Sequence, residues 1–179
     1  AYSSLFPAAK VAEVAEEDTP AYQREVDDCI HRLRRHIHPE TKAVYETVTP
    51  EGQLINSSEG RLINSSEGRL INPGHAIEAG WFLQHWAQHL QQPALSETAI
   101  EMIRWSFERG WDAEYGGIYY FLDAQGYSPT PLEWFMKLWW VHCEALYAHL
   151  LNFSLTGERA DWEAFQQVDA YSFSHFCDP

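Results

Sequence analysis

A chain of 179 residues has the length of one domain and can bury about 70% of the surface its unfolded form exposes, so a full core is within reach. Its formal charge of −14, from 12 Lys and Arg against 26 Asp and Glu, excludes nucleic acid and anionic membrane as general partners, because both require a basic surface. Aromatic residues make up 15% of the chain, more than packing needs, and several rings sit beside charged residues; that mixture suits carbohydrate, whose C–H faces stack on rings while its hydroxyls seek charged partners.

Three cysteines, Cys29, Cys143 and Cys177, are widely separated and lack metal or redox spacing, which fits reduced thiols in a cytoplasmic protein. No run of eighteen apolar residues occurs, and the N-terminus lacks the basic and apolar regions of a signal peptide.

In chain order, Pro7 to about Glu17 reads as a short helix. Asp18-Thr19-Pro20 has the form of a helix start, with proline in the first turn. That helix is expected to reach about His36 on the stripe Val26, Cys29, Ile30, Leu33 and Ile37. After Pro39, Ala43–Val48 is a strand candidate. The octapeptide Leu-Ile-Asn-Ser-Ser-Glu-Gly-Arg then occurs twice, at Leu54–Arg61 and Leu62–Arg69, before Leu70-Ile71-Asn72 begins a diverging copy. A period of eight is too short for a solenoid unit, so residues 53–71 read as a duplicated surface loop, an insertion that costs little loop entropy.

Asn72-Pro73-Gly74-His75-Ala76-Ile77-Glu78-Ala79-Gly80-Trp81-Phe82 organises the rest. Pro73 and Gly74 break the preceding backbone, and a helix follows from His75 to about Gln91. On it His75, Glu78, Phe82, His85 and His89 share a face, with Trp81 beside them. A first-turn histidine is more often a hydrogen-bonding residue than a catalyst, so spacing alone does not decide its role. No H-E-x-x-H or cysteine pair completes a metal set. A further helix is expected from Pro93 to about Arg109, stopping at Gly110, followed by a hairpin strand within Gly116–Gly126. Thr130-Pro131-Leu132-Glu133 has the form of a capping box opening a helix over Glu133–Leu151, and a last helix runs from near Gly157 to about Phe176. Lys137, Trp140, Glu144 and Tyr147 recur at steps of three and four on the Glu133 helix, and Glu144, among bulky neighbours, requires a polar partner. The layout is three helix pairs in a single all-α domain over 1–179, part of a toroid or solenoid, with short β-hairpin segments.

The Asn72–Phe82 stretch, Gly116-Gly117-Ile118-Tyr119-Tyr120-Phe121, Glu133 to Ala145 (EWFMKLWWVHCEA) and Phe173-Ser174-His175-Phe176 resemble the N-acylglucosamine 2-epimerase (renin-binding protein) family over about Pro7 to Pro179, as its C-terminal half without the last segment. The resemblance implies an (α/α)6 barrel, of which this chain holds about half. It also implies interconversion of N-acetylglucosamine and N-acetylmannosamine, with no required cofactor and ATP in many members as an activator that is not consumed. By the motif match His75 is one of two acid/base histidines, and Glu78, Trp81, Trp140 and Glu144 line the sugar pocket. Glu144 is read as an orienting or proton-relay partner of His75, so both are assigned to catalysis. The second catalytic histidine lies in a segment this chain does not contain, and His175 does not match it. The expectation is therefore a fragment with little activity alone. The alternatives are another sugar epimerase or aldose–ketose isomerase, such as a cellobiose 2-epimerase, and a non-catalytic module whose apolar edges pair with a partner or form a homodimer.

Overall fold

A computed structural model describes residues 19–55 and 66–176; the expected helix Pro7–Glu17 and most of the first octapeptide copy lie outside the described residues. The described helices are α1 (Thr19–Arg34), α2 (Pro73–His89), α3 (Pro93–Gly110), α4 (Trp139–Thr156) and α5 (Arg159–His175). Two antiparallel two-residue ladders join them: β1 (Ile37–His38) with β2 (Ala43–Val44), and β3 (Leu70–Ile71) with β4 (Leu122–Asp123).

The helix α2 starts where its sequence dictates. Asn72 is extended and accepts a hydrogen bond from the His75 backbone N–H at 3.0 Å, while Pro73 occupies the first helical position, where no N–H is needed. The Asn72 side chain is fully buried, which makes this cap part of the core. Eleven of the residues of α2 are buried, because it is packed on two sides. Ala76, Phe82, Leu83 and Trp86 join Val26, Ile30 and Leu33 of α1 and Leu95, Ala99 and Met102 of α3 in one cluster. Ile77 joins Ile103 and Phe107 of α3, Val141 and Ala145 of α4 and Val168 of α5 in a second.

Directions follow from the cross-contacts. Gly110, at the end of α3, lies against Pro73, at the start of α2, so these helices are antiparallel; a Cβ on Gly110 would stand 2.7 Å from the proline ring. Asp161, at the start of α5, accepts from His149 at 3.0 Å and from Asn152 at 3.3 Å, far along α4, and from Arg104 of α3, so α4 and α5 are antiparallel too. By contrast His75 meets Trp140 and His85 meets Tyr147, so α2 and α4 run side by side in the same direction. Parallel helices in one layer, each backed by an antiparallel partner, form the repeat of an α/α toroid; the described helices make an open part of one, not a closed ring.

Several boundaries differ from the sequence expectation. The α1 helix ends at Arg34 rather than near His36, because Ile37 leaves to pair with Val44. Gly110 lies inside α3, where its value is close approach to Pro73 and Ile118 rather than a left-handed cap. The largest difference is at Glu133: the Thr130–Glu133 box forms turns, residues 134–137 run back along Tyr119–Phe121, and α4 starts only at Trp139. The cause is long-range. Lys137 donates to Asp112 at 2.9 Å and lies over the Tyr119 ring, which holds it in an extended segment rather than on the α4 face. Burial pushes the Asp112 carboxyl up, but the Tyr119 hydroxyl, Lys137 and two backbone N–H groups together hold it well below the usual carboxylate range.

The expected surface loop over 53–71 becomes packed structure at its end. Glu67–Arg69 form a 3₁₀ turn, Arg69 is buried, and its Nε donates to Asp123 Oδ2 at 2.8 Å beside the β3–β4 ladder. Removing one partner of such a buried pair takes away the counter-charge the other was buried with. Asp123→Ala is therefore expected to lower unfolding free energy by about 3 to 5 kcal/mol in urea denaturation, and replacing both residues by apolar ones is expected to cost less than that single change. A loss below about 1 kcal/mol for Asp123→Ala would contradict the pairing.

Candidate active site

The groove between α2 and α4 gathers the candidate residues. From α2 the half-buried side chains are His75, Glu78, Trp81 and His85, while Phe82 points into the core; the exposed stripe therefore runs through Trp81 rather than Phe82, and His89, at its end, packs against Trp86. From α4 come Trp140, Glu144 and Tyr147. Gly74 permits the approach, since a Cβ there would stand 2.7 Å from the Trp140 ring and 2.8 Å from a Val141 methyl.

Three cross-helix contacts define the register. The His75 and Trp140 rings lie 5.6 Å apart, tilted by 32°. Trp81 Nε1–H donates to Glu144 Oε2 at 2.6 Å, the polar partner that a half-buried carboxylate on this helix needs. The His85 and Tyr147 rings stack, with Nε2 and the phenol oxygen 2.6 Å apart. Glu78 sits between the first two contacts, close enough for its charge to act on both His75 and Glu144.

Glu46 joins them from outside the two helices. Its carboxylate oxygens each lie 3.2 Å from His75 Nδ1. Sequence reading places Glu46 in a strand and gives it no role, because the partner lies 29 residues away and no spacing rule connects them. His175 is exposed, stacks on Tyr171 and has its Nδ1 on the Tyr171 carbonyl of its own helix. Among the described residues no group of three or more His, Cys, Asp and Glu is arranged to hold a metal ion. Depressions of about 550 Å³ beside the α2–α3 turn and about 240 Å³ between α3 and α5 hold neither His75 nor Glu144, and the chemistry-bearing side chains lie along the α2–α4 groove instead.

The electrostatics of the groove oppose its two principal groups. Accepting from His75, Glu46 raises the imidazole above its ordinary value; burial works against this and the charges of Glu46 and Glu78 add to it. Burial raises the Glu144 carboxyl, the Trp81 N–H opposes the rise, and the Glu78 charge adds to it. The imidazole at one end and the carboxyl at the other thus each hold a proton more readily than they would in water.

Solved sugar epimerases share this fold. A solved cellobiose 2-epimerase from Bacillus thermoamylovorans B4167 superposes with a TM-score of 0.73 at 15% identity, over 97% of this chain and 40% of that one. A sugar epimerase from a ruminal bacterium does so with 0.67 at 17%, over 97% and 41%. The sequence then gives the family: the model of N-acylglucosamine 2-epimerase matches residues 5–179, and this chain belongs to that family. It is 40% identical over 171 residues to the N-acylglucosamine 2-epimerase of Mus musculus, covering 95% of this chain, and 41% identical to that of Bos taurus over 167 residues, 92% of this chain. The chain spans about two fifths of those relatives, 39% and 38% of their lengths.

The Glu144 shift has a measurable sign. Its folded pKa lies above the ordinary 4.5, so between the two values the folded state holds a proton that the unfolded state has lost, and stability falls as pH rises through that window. Glu144→Gln keeps the shape and an acceptor for Trp81 while removing the titration. The variant is expected to gain in Tm relative to the parent as pH rises from about 4 to about 7, and a constant or shrinking difference would show that its surroundings do not raise the Glu144 pKa.

Proposed function

We propose that this chain is part of a sugar 2-epimerase that interconverts N-acetylglucosamine and N-acetylmannosamine, with His75 as an acid/base, Glu144 as its orienting or relay partner, and Glu78, Trp81 and Trp140 as the walls of the sugar site. The observation that carries this reading is the convergence on one groove of a histidine with raised proton affinity, a carboxyl with raised pKa and two indoles, in a member of this family. Opening the sugar ring exposes an aldehyde that acidifies the C2 proton. A base whose pKa lies near ambient pH removes it, and return of a proton to the opposite face inverts C2. Indole faces stack on the sugar C–H surface, and Glu78 and Glu144 accept from its hydroxyls.

The chemistry calls for a proton donor on the second face. In the family resemblance that donor is a histidine beyond the residues matched here, so the 179-residue chain is expected to bind the sugar and to epimerise it little or not at all. The resemblance also brings ATP into the proposal as an activator, and the wide spacing of Cys29, Cys143 and Cys177, without metal or redox motif, supports a cytoplasmic setting. No described helix is long and apolar enough to cross a membrane. A specific alternative is favoured by the likeness to cellobiose 2-epimerase, namely action on a disaccharide in the same groove.

Titrating the tryptophan fluorescence of the chain with N-acetylglucosamine, N-acetylmannosamine and cellobiose, with product analysis in parallel, separates these readings. Saturable quenching by the amino sugars is expected, with affinity weakened about tenfold or more by Trp140→Ala, equivalent to about 1.4 kcal/mol. Response to cellobiose alone would favour the disaccharide, and measurable epimerisation by the isolated chain would refute its incompleteness.

A further inference from the structure

We propose that Glu46 is a positioning residue that fixes His75 with Nδ1–H donated to its carboxylate, so that Nε2 is the ring atom that takes the C2 proton. This rests on the sugar 2-epimerase reading above and adds to it a residue and an atom.

A carboxylate has no hydrogen to give. With both Glu46 oxygens 3.2 Å from Nδ1, the proton of that contact belongs to the imidazole, and the neutral ring is held as the Nδ1–H tautomer with its lone pair on Nε2. Among the described residues Nε2 has no hydrogen-bond partner, and the His75 side chain keeps 38% of its surface accessible against 24% for Glu46. The ring nitrogen left without a partner among the described residues is thus the one that carries no proton.

The pairing is built from the backbone. Glu46 N–H donates to the Leu70 carbonyl at 3.0 Å; two residues later Asn72 caps α2 by accepting from His75 N–H at 3.0 Å. One short segment, residues 70–72, therefore holds the backbone of both partners. Trp140 lies along the other side of the ring, 5.6 Å away. Among the described residues, the charged groups acting on the imidazole are Glu46 from the segment after β2 and Glu78 from its own helix, and α4 presents the uncharged Trp140 there. His75 also occupies the first turn of α2, where the helix dipole disfavours a positive charge. Glu46 offsets that field, which matters at the moment the ring becomes an imidazolium.

The step balances without another reagent. The C2–H bond breaks, an Nε2–H bond forms, the electron pair moves into the C2–C1–O enediolate, and the imidazolium is held by the Glu46 carboxylate until the proton is returned. Glu46 touches the imidazole and not the sugar.

Nitrogen-15 NMR of the histidine rings in the 179-residue chain tests this, using the wild type, Glu46→Gln, Glu46→Ala and Glu46→Asp. In the wild type the neutral His75 ring is expected as the Nδ1–H tautomer. Glu46→Gln, which keeps an acceptor and removes the charge, is expected to lower the proton affinity of His75 about tenfold, and Glu46→Asp to restore most of it. Glu46→Ala is expected to release the tautomer into a mixture. A wild-type Nε2–H tautomer, or a His75 titration unmoved by Glu46→Gln while the variant's melting shows it folded, would overturn the proposal. Adding N-acetylmannosamine separates the two levels: a shift at Nε2 larger than at Nδ1 supports the atom assignment, and quenching of tryptophan fluorescence with Nε2 unmoved overturns it. Absence of any sugar response with the tautomer as expected removes the sugar reading instead, and with it the assignment of Nε2 to C2, leaving Glu46 as the anchor of the ring.

Discussion

The close parallel approach of α4 to the first turn of α2 is the constraint on which the rest depends. It exists because position 74 carries no side chain: any Cβ would meet the Trp140 ring and a Val141 methyl at under 3 Å. Moving α4 outward by even a methyl group would pull Trp140 from His75, lengthen the Trp81–Glu144 bond and separate Tyr147 from His85. One glycine therefore sets the register of the three contacts along the groove. Behind it, Gly80 and Gly110 perform the same service between α2 and α3, so that α2 is held close on both sides.

With the helices in place, the electrostatics follow from what each end of the groove can reach. Near the helix start, Glu46 and Glu78 offer negative charge to an imidazole that the helix dipole and burial would otherwise keep neutral. Farther along, burial and then the Glu78 charge raise the Glu144 carboxyl against the indole N–H it accepts from, which favours its protonated form. A chain of net charge −14 thus arranges local differences among carboxylates rather than a uniform acidic surface. Asp112 and Asp161, satisfied by several donors, are structural, whereas the sparsely partnered Glu144 belongs to the groove.

What could be read from the sequence was governed by local rules. The Asn72-Pro73 start of α2, the Pro93 start of α3 and the helix following Gly157 are written in neighbouring residues, and each stands within a residue or two of expectation. That His75, Glu78, Trp81, Trp140 and Glu144 lie near one another follows from helical spacing on α2 and α4, while the pairing of those two helices is set by Gly74. The misread segment, Glu133–Leu138, had a local signal that was overridden from 25 residues away by the Lys137–Asp112 contact. Glu46 was illegible for the same reason: its partner is set by the backbone contact of Glu46 with Leu70, which no periodicity in either segment reveals. The end of the duplicated octapeptide looked like loop because its sequence repeats, yet Arg69 is committed to Asp123 by a contact 54 positions away.

The central claim is that His75 and Glu144 serve one bound sugar. A crystal structure of the chain with N-acetylmannosamine tests it most directly. The account predicts the sugar between α2 and α4, with C2 about 3 to 3.5 Å from the His75 ring and a hydroxyl on Glu144. Sugar bound at another surface, or bound in the groove with C2 turned away from His75, would contradict it.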